Sequence, residues 1–202
     1  MKTNRYLTDF YNNYDEDSRL TVKHGSVEFL TTMHYIGKYI KPGDRVLEIG
    51  AGTGRYSHAL ARQSHTVDAV ELIEHNIEVF RRNTLPGENI TVVQGNALDL
   101  SAFQDNTYDI TLLLGPLYHL YSREDKQQAL REAIRVTRPG DVIFAAYVIS
   151  DGCLLDDDHL FLVGMTLLLK GLGGDNQTLV QLLPQSAGQG AGHRPGCSSR
   201  SL

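Results

Sequence analysis

The chain has 202 residues, a length that suits one domain or at most two small ones. Apolar residues make up 41% and charged residues 21%, ordinary globular usage that excludes a fibrous chain or one disordered throughout. With 19 Lys and Arg against 24 Asp and Glu, the formal charge is −5, which argues against nucleic-acid binding through a bulk positive field.

Residues 1–24 are polar and dotted with Tyr6, Tyr11 and Tyr14. Ser26 is placed to cap a following helix. Phe29, Met33, Ile36 and Ile40 then recur at helical spacing, and Lys41-Pro42-Gly43-Asp44 stops them. A repeating unit follows. Arg45 to Ile49 reads as a buried strand, Gly50 to Gly54 as a glycine turn, and Arg55 to Gln63 as a helix with Tyr56 and Leu60 on one face. Thr66 to Leu72 is strand-like, and Glu74 to Arg82 is helical, with Ile77 and Phe80 inward. Ile90 to Val93 is a third strand and Tyr108 to Leu114 a fourth. Ser122 and Asp125 resemble a capping box opening a helix whose stripe is Ala129, Leu130, Ala133 and Ile134. Arg138-Pro139-Gly140 ends that helix, and Val142 to Ile149 is a fifth strand. Strands alternating with helices predict an α/β fold: a Rossmann-like, doubly wound, mostly parallel sheet with helices on both faces.

After Ile149 the composition changes. No tyrosine occurs beyond Tyr147 and no glutamate beyond Glu132, while residues 171–202 hold seven of the 19 glycines. His159 to Lys170 reads as a short apolar helix, and the stretch after about Pro184 as a disordered tail with too little apolar surface to offset chain entropy. The expected organisation is an N-terminal helical cap or lid over 1–42 and a core over 43–150. An atypical, partly helical segment over 151–183 and a tail over 184–202 follow.

Cys153 and Cys197 cannot build a disulfide framework and sit in no zinc-ligand spacing, and the histidines show no mutual metal spacing, so no metal is expected. The N-terminus lacks the apolar core of a secretory signal. The longest apolar runs, Ile110–Leu117 and Phe161–Leu169, fall well short of the ~20 residues a bilayer span requires. The expectation is a cytoplasmic protein that makes no membrane contact; the oligomeric state is not legible.

The most informative stretch is Val46-Leu47-Glu48-Ile49-Gly50-Ala51-Gly52-Thr53-Gly54. A strand delivers the chain to a turn where glycines permit positive φ and let a ligand approach the backbone. Glu71 closes the second strand about 20 residues on, where an acid can accept from ribose hydroxyls. Gly95-Asn96-Ala97 follows the third strand, and Leu113-Leu114-Gly115-Pro116 the fourth. In an open parallel sheet these strand ends share one edge, where ligands bind. A dinucleotide fingerprint counted from Gly50 would place Arg55 at its third glycine, which disfavours an NAD(P)-dependent oxidoreductase. No Gly-Lys-Ser/Thr follows, so a P-loop is excluded.

Residues 43–149 resemble the class I S-adenosylmethionine-dependent methyltransferases. Val46–Tyr56, Val67–Glu71, Gly95–Ala97, Tyr108–His119 and Arg138–Gly140 match that family's motifs in order. The resemblance implies S-adenosyl-L-methionine as cofactor, with Gly50, Ala51, Gly52 and Gly54 lining its methionine portion and Glu48 supporting the loop. It implies Glu71 on the ribose, Leu72 and Ala97 flanking adenine, Asn96 hydrogen-bonding it, and Leu114 near the methionyl end. Asn96 stands where the family usually has aspartate; an amide oxygen can still accept from an adenine amino group. The implied activity is methyl transfer to a small-molecule acceptor by in-line displacement. Tyr118 and His119 are placed to face such a site, His119 as a candidate base. Tyr11 and Tyr14 are candidates for a lid or substrate contact. The family also implies two further strands after the fifth. These look missing or altered, which raises the expectation of a truncated or inactive cofactor-binding protein, diverging near Asp156, as the alternative function.

Overall fold

The computed structural model describes residues 23–146 and 166–170, together with Asp9; of 23–25 and 166–170 it describes the backbone alone. Five parallel strands form the centre: β1 (Arg45–Ile49), β2 (Thr66–Glu71), β3 (Ile90–Gln94), β4 (Tyr108–Leu113) and β5 (Thr137–Ala146). A sixth, β6 (Thr166–Lys170), pairs antiparallel with β5. The sheet order is β3-β2-β1-β4-β5-β6, so the winding direction reverses between β1 and β4. This is the Rossmann-like architecture expected from the alternation of strands and helices.

The helices are α1 (Lys23–Ile36), α2 (Arg55–Ala61), α3 (Glu74–Asn83) and α4 (Arg123–Val136), with a 3-10 turn at Pro116–Tyr118. Strand parity sorts their contacts. Val46, Val67, Ile110, Leu112 and Phe144 pack with Tyr56 and Leu60 of α2 and Ile36 of α1. Leu47, Ile49, Leu113 and Ile143 face the other way, onto Ala129, Leu130, Ala133 and Val136 of α4. Successive strand residues thus enter different cores, which is why β1, β2 and β4 are apolar along most of their length. Phe80 of α3 closes a third cluster with Ala51 and Ala69.

Several boundaries differ from the sequence reading. α1 starts three residues before Ser26 and ends at Ile36, where Gly37 and two successive turn hydrogen bonds redirect the chain, so Ile40 lies beyond it. Arg138-Pro139-Gly140 is no terminator outside the strand but a bulge within β5. Tyr108 pairs with Thr137 and Ile110 with Val142, so residues 138–141 loop out opposite Asp109 alone. Proline lacks the N–H a ladder needs, and Gly140 takes φ +91°, which together account for the outward loop. The helix expected over His159–Lys170 is corrected at its end: Thr166–Lys170 is strand, because the open edge of β5 offers an unpaired row of N–H and C=O groups that its ladder satisfies. Leu179–Leu183, the tail after Pro184, Tyr11 and Tyr14 lie outside the described residues. The Ser122 cap is as expected, its Oγ accepting from Asp125 N–H at 3.0 Å. No helix among the described residues is long and apolar enough to cross a membrane.

Candidate functional site

The ends of β1, β2, β3 and β4 meet at one edge, and the reversal between β1 and β4 opens a crevice there. The β1–α2 loop is the centre of it. Gly50 and Ala51 N–H both donate to Val70 O, at 2.8 and 3.0 Å, which folds the loop back over β2. Gly50, Gly52 and Gly54 take φ of +73°, +57° and +87°, a region that side chains with a Cβ rarely adopt.

Two of these glycines are required by the protein's own packing. A Cβ on Gly50 would lie 2.6 Å from Pro116 Cγ, since the β4 loop sits directly on it. A Cβ on Gly54 would collide with the Phe80 ring and lie 2.9 Å from His58 Nε2. Gly95 obeys the same constraint at the end of β3, where a Cβ would lie 2.7 Å from Val70 Cγ1. The bare backbone therefore lets four strand ends close on each other.

Two buried carboxylates stand under the loop, on the face of the sheet that α2 covers. Glu48 is 3% exposed and accepts from Ser57 N–H at 2.9 Å and from the Ser57 hydroxyl. Burial pushes its pKa up to about 8, against the lowering by Ser57 and with a smaller push from Glu71. Glu71 is 6% exposed. Its Oε2 accepts from Gly52 N–H at 2.8 Å; its Oε1 accepts from Ile73 N–H at 2.9 Å and from Asn76 Nδ2 at 3.3 Å. Glu71 thus ties the end of β2 to the middle of the glycine loop while its carboxylate keeps acceptor capacity for further donors.

The other expected residues surround this pair. Leu72 follows Glu71, and its carbonyl accepts from Gln94 Nε2 at 3.2 Å. Ala97 is buried beside the same edge, whereas Asn96 is exposed. The Asn96 side chain closes its own turn, Oδ1 accepting from Leu98 N–H at 3.0 Å. Leu114 is half-buried against the core shared with α1 and α2. Tyr118 ends the 3-10 turn that Pro116 opens over Gly50, and His119 N–H donates to Pro116 O at 3.0 Å. Both rings are half-buried, and burial lowers the His119 pKa below the ordinary histidine value.

Sequence reasoning missed the partners that hold these residues: Ser57 under Glu48, Asn76 on Glu71, and Pro116 on Gly50. Ser57 carries a readable signal, a small hydroxyl in the first turn of a helix on its buried face. His58, read as a packing or surface histidine, is buried; its Nδ1 lies 2.8 Å from Glu88 Oε2, and its ring lies 4.6 Å from that of Phe80. Among the described residues no cluster of His, Cys, Asp or Glu is arranged to hold a metal ion.

Comparison with known proteins points to one family. Residues 46–140 match the family model described as "Methyltransferase domain". Over those residues the chain is similar to methyltransferase domains, and it shares its fold with S-adenosylmethionine-dependent methyltransferases of known structure. The demethylmenaquinone methyltransferase of Staphylococcus aureus is 31% identical over 108 residues, 52% of this chain and 43% of that protein, so the chain spans less than half of such curated relatives. Among solved structures, a Pyrococcus horikoshii protein is 22% identical with a TM-score of 0.61, covering 69% of this chain and 66% of its own. Phosphoethanolamine N-methyltransferase 1 of Haemonchus contortus, solved with phosphoethanolamine and S-adenosylhomocysteine, is 19% identical with a TM-score of 0.62. That match covers 82% of this chain and 35% of that one. At these identities the two structures speak to the fold alone.

Proposed function

We propose that this methyltransferase domain binds S-adenosylmethionine across the ends of β1, β2 and β3 and transfers its methyl group to a small-molecule acceptor. The observation that carries the reading is the Gly52–Glu71 pairing. A buried carboxylate is held at 2.8 Å from a positive-φ glycine, at the point where β1 and β2 both end. The pocket residues fit the group. The bare corner at 50–54 suits an aminoacyl chain, Glu71 suits a ribose diol, and Leu72 and Ala97 supply apolar walls for adenine. Asn96 offers its amide for adenine once its own turn relaxes. The small-molecule acceptor is supported by the name of the S. aureus relative and by the absence of bulk positive charge.

When bound, the cofactor supplies an activated methyl on a sulfonium. The chain's share is orientation and exclusion of water, which can contribute ~7–11 kcal/mol. Gly50, Ala51, Gly52 and Gly54 set the donor end by backbone shape, and Glu48 keeps the loop in place through Ser57. Leu114 lies toward the methionyl end, and Tyr118 walls the acceptor side. His119, whose charged form burial disfavours, is competent to take a proton from an acceptor that arrives protonated.

Calorimetry with S-adenosylhomocysteine and with NAD tests the reading. Wild type binds the former at micromolar scale, about −8 kcal/mol, and does not bind NAD. Glu71→Ala weakens S-adenosylhomocysteine binding at least tenfold. Equal binding by the two proteins would remove Glu71 from the ribose. Methyl transfer to a panel of small acceptors, with His119→Ala slowed against wild type, tests the acceptor side.

A further inference from the structure

His58 stands on α2, one turn after the last loop glycine, and takes no part in holding Glu48 or Glu71. The residue is 5% exposed, and its ring packs on that of Phe80 with the centroids 4.6 Å apart. Both rings lie against Gly54: a Cβ there would be 2.3 Å from Phe80 Cδ2 and 2.9 Å from His58 Nε2. The same histidine donates its backbone N–H to Gly54 O at 2.8 Å. The last glycine of the loop therefore rests on two rings, of which His58 is the one with a polar edge.

That edge is aimed by a residue distant in sequence. His58 Nδ1 lies 2.8 Å from Oε2 of Glu88, which is 30 residues along the chain in the turn that precedes β3. The Glu88 side chain is 3% exposed and engaged at both oxygens. Leu85 N–H donates to Oε2 at 3.0 Å, and Arg62 Nε donates to Oε1 at 2.6 Å. A carboxylate paired with a guanidinium only accepts, so His58 Nδ1 carries the proton and Nε2 is a bare lone pair. Nε2 is buried without a hydrogen-bond partner among the described residues. In the other tautomer a buried N–H would face Gly54 with nothing there to accept it.

We infer that Glu88 is a positioning residue for the glycine loop: by fixing the tautomer and plane of the His58 ring, it sets where Gly54 sits. The inference rests on the cofactor reading above and adds to it a residue that touches no ligand. It accounts for a carboxylate buried in the turn before β3, where a surface turn has no packing need of one. The loop is then held at two of its glycines by buried carboxylates, directly by Glu71 at Gly52 and through an imidazole by Glu88 at Gly54.

The test combines calorimetry with S-adenosylhomocysteine and nitrogen NMR of the His58 ring, on wild type, Glu88→Gln, Glu88→Ala and Arg62→Ala. Glutamine suits the site because its amide oxygen can replace Oε2, where two donors converge, while the half-exposed Arg62 turns away from the amide nitrogen. Wild type and Glu88→Gln are expected to show the Nδ1–H tautomer and to bind within about twofold of each other, because the same loop population is competent in both. Glu88→Ala is expected to lose that signature and to bind about fivefold to tenfold more weakly, as when the competent loop falls to roughly a tenth to a fifth of the population. Arg62→Ala keeps both the tautomer and the affinity. Adding S-adenosylhomocysteine to wild type should also shift the His58 ring resonances. Unchanged affinity in Glu88→Ala, or a loss as large in Glu88→Gln or Arg62→Ala, would overturn the positioning role and leave the cofactor reading standing. Should Glu88→Ala not fold, wild type still decides: an Nε2–H tautomer, or ring resonances that ignore bound ligand, overturns the role. A wild type that does not bind S-adenosylhomocysteine overturns the cofactor reading, and the positioning role with it.

Discussion

The two edges of the sheet handle charge in opposite ways. At the edge where the strands begin, carboxylates meet cations and a phenol. Arg45 Nη2 donates to Asp68 Oδ2 at 2.8 Å, the Tyr108 hydroxyl donates to the same oxygen at 2.9 Å, and Arg138 pairs with Asp109. At the edge where the strands end, Glu48 and Glu71 are held by N–H and O–H donors of Ser57, Gly52, Ile73 and Asn76. Arg45 and Arg138 are about half exposed, and Glu48 and Glu71 are buried. The first edge is neutralised within itself. The second keeps two buried carboxyl groups, Glu48 protonated up to about pH 8, without a bonded cation among the described residues, which suits it to a ligand that brings hydrogen-bond donors of its own.

The sharpest way to break this contrast is at the glycines. Gly54→Ala places a Cβ into the Phe80 ring at positive φ, and urea denaturation should show a loss of about 2–4 kcal/mol, from left-handed backbone strain and overpacking together. Glu48→Gln comes next. The Glu48 pKa is raised on folding, so the folded chain retains a proton that the unfolded chain releases, and stability falls as pH rises from about 4.5 to about 8. Thermal or urea melts across that window should show wild type losing up to about 1.4 kcal/mol per pH unit from this group, and Glu48→Gln a flatter profile. An equally steep profile in the variant would place the linkage elsewhere. Gly140→Ala is the control at the opposite edge. Gly140 has the same sign of φ, but nothing lies within 4 Å of a Cβ there, so only backbone strain of about 1–2 kcal/mol is expected. The smallest effect belongs to Arg138→Ala, whose half-exposed ion pair should contribute less than about 1 kcal/mol, with S-adenosylhomocysteine binding unchanged. A large loss of binding in Arg138→Ala would mean that the two edges are not independent.

How much of this was legible differs from element to element. β1 was read to the residue, because a five-residue run between Gly43 and Gly50 has little other conformation open to it. β2 and β4 were each read one residue long, since Leu72 and Leu114 are apolar but lie past the last ladder pairs. The bulge in β5 was not legible: a Pro-Gly pair marks a turn in any sequence, and only the pairing of Tyr108 with Thr137 shows that the strand has already begun. β6 was missed because an apolar run such as Thr166–Lys170 has no period that separates helix from edge strand.

From the sequence alone came the alternation of elements, the glycine corner, and the acid at the end of β2. All three depend on local chemistry: buried apolar runs, positive φ, and a charge placed at a chain terminus of a strand. Tertiary structure alone decided why each glycine is bare, which donors hold Glu48 and Glu71, and that Glu88 meets His58. Those facts depend on residues tens of positions apart meeting across the sheet, and no one-dimensional pattern encodes such a meeting.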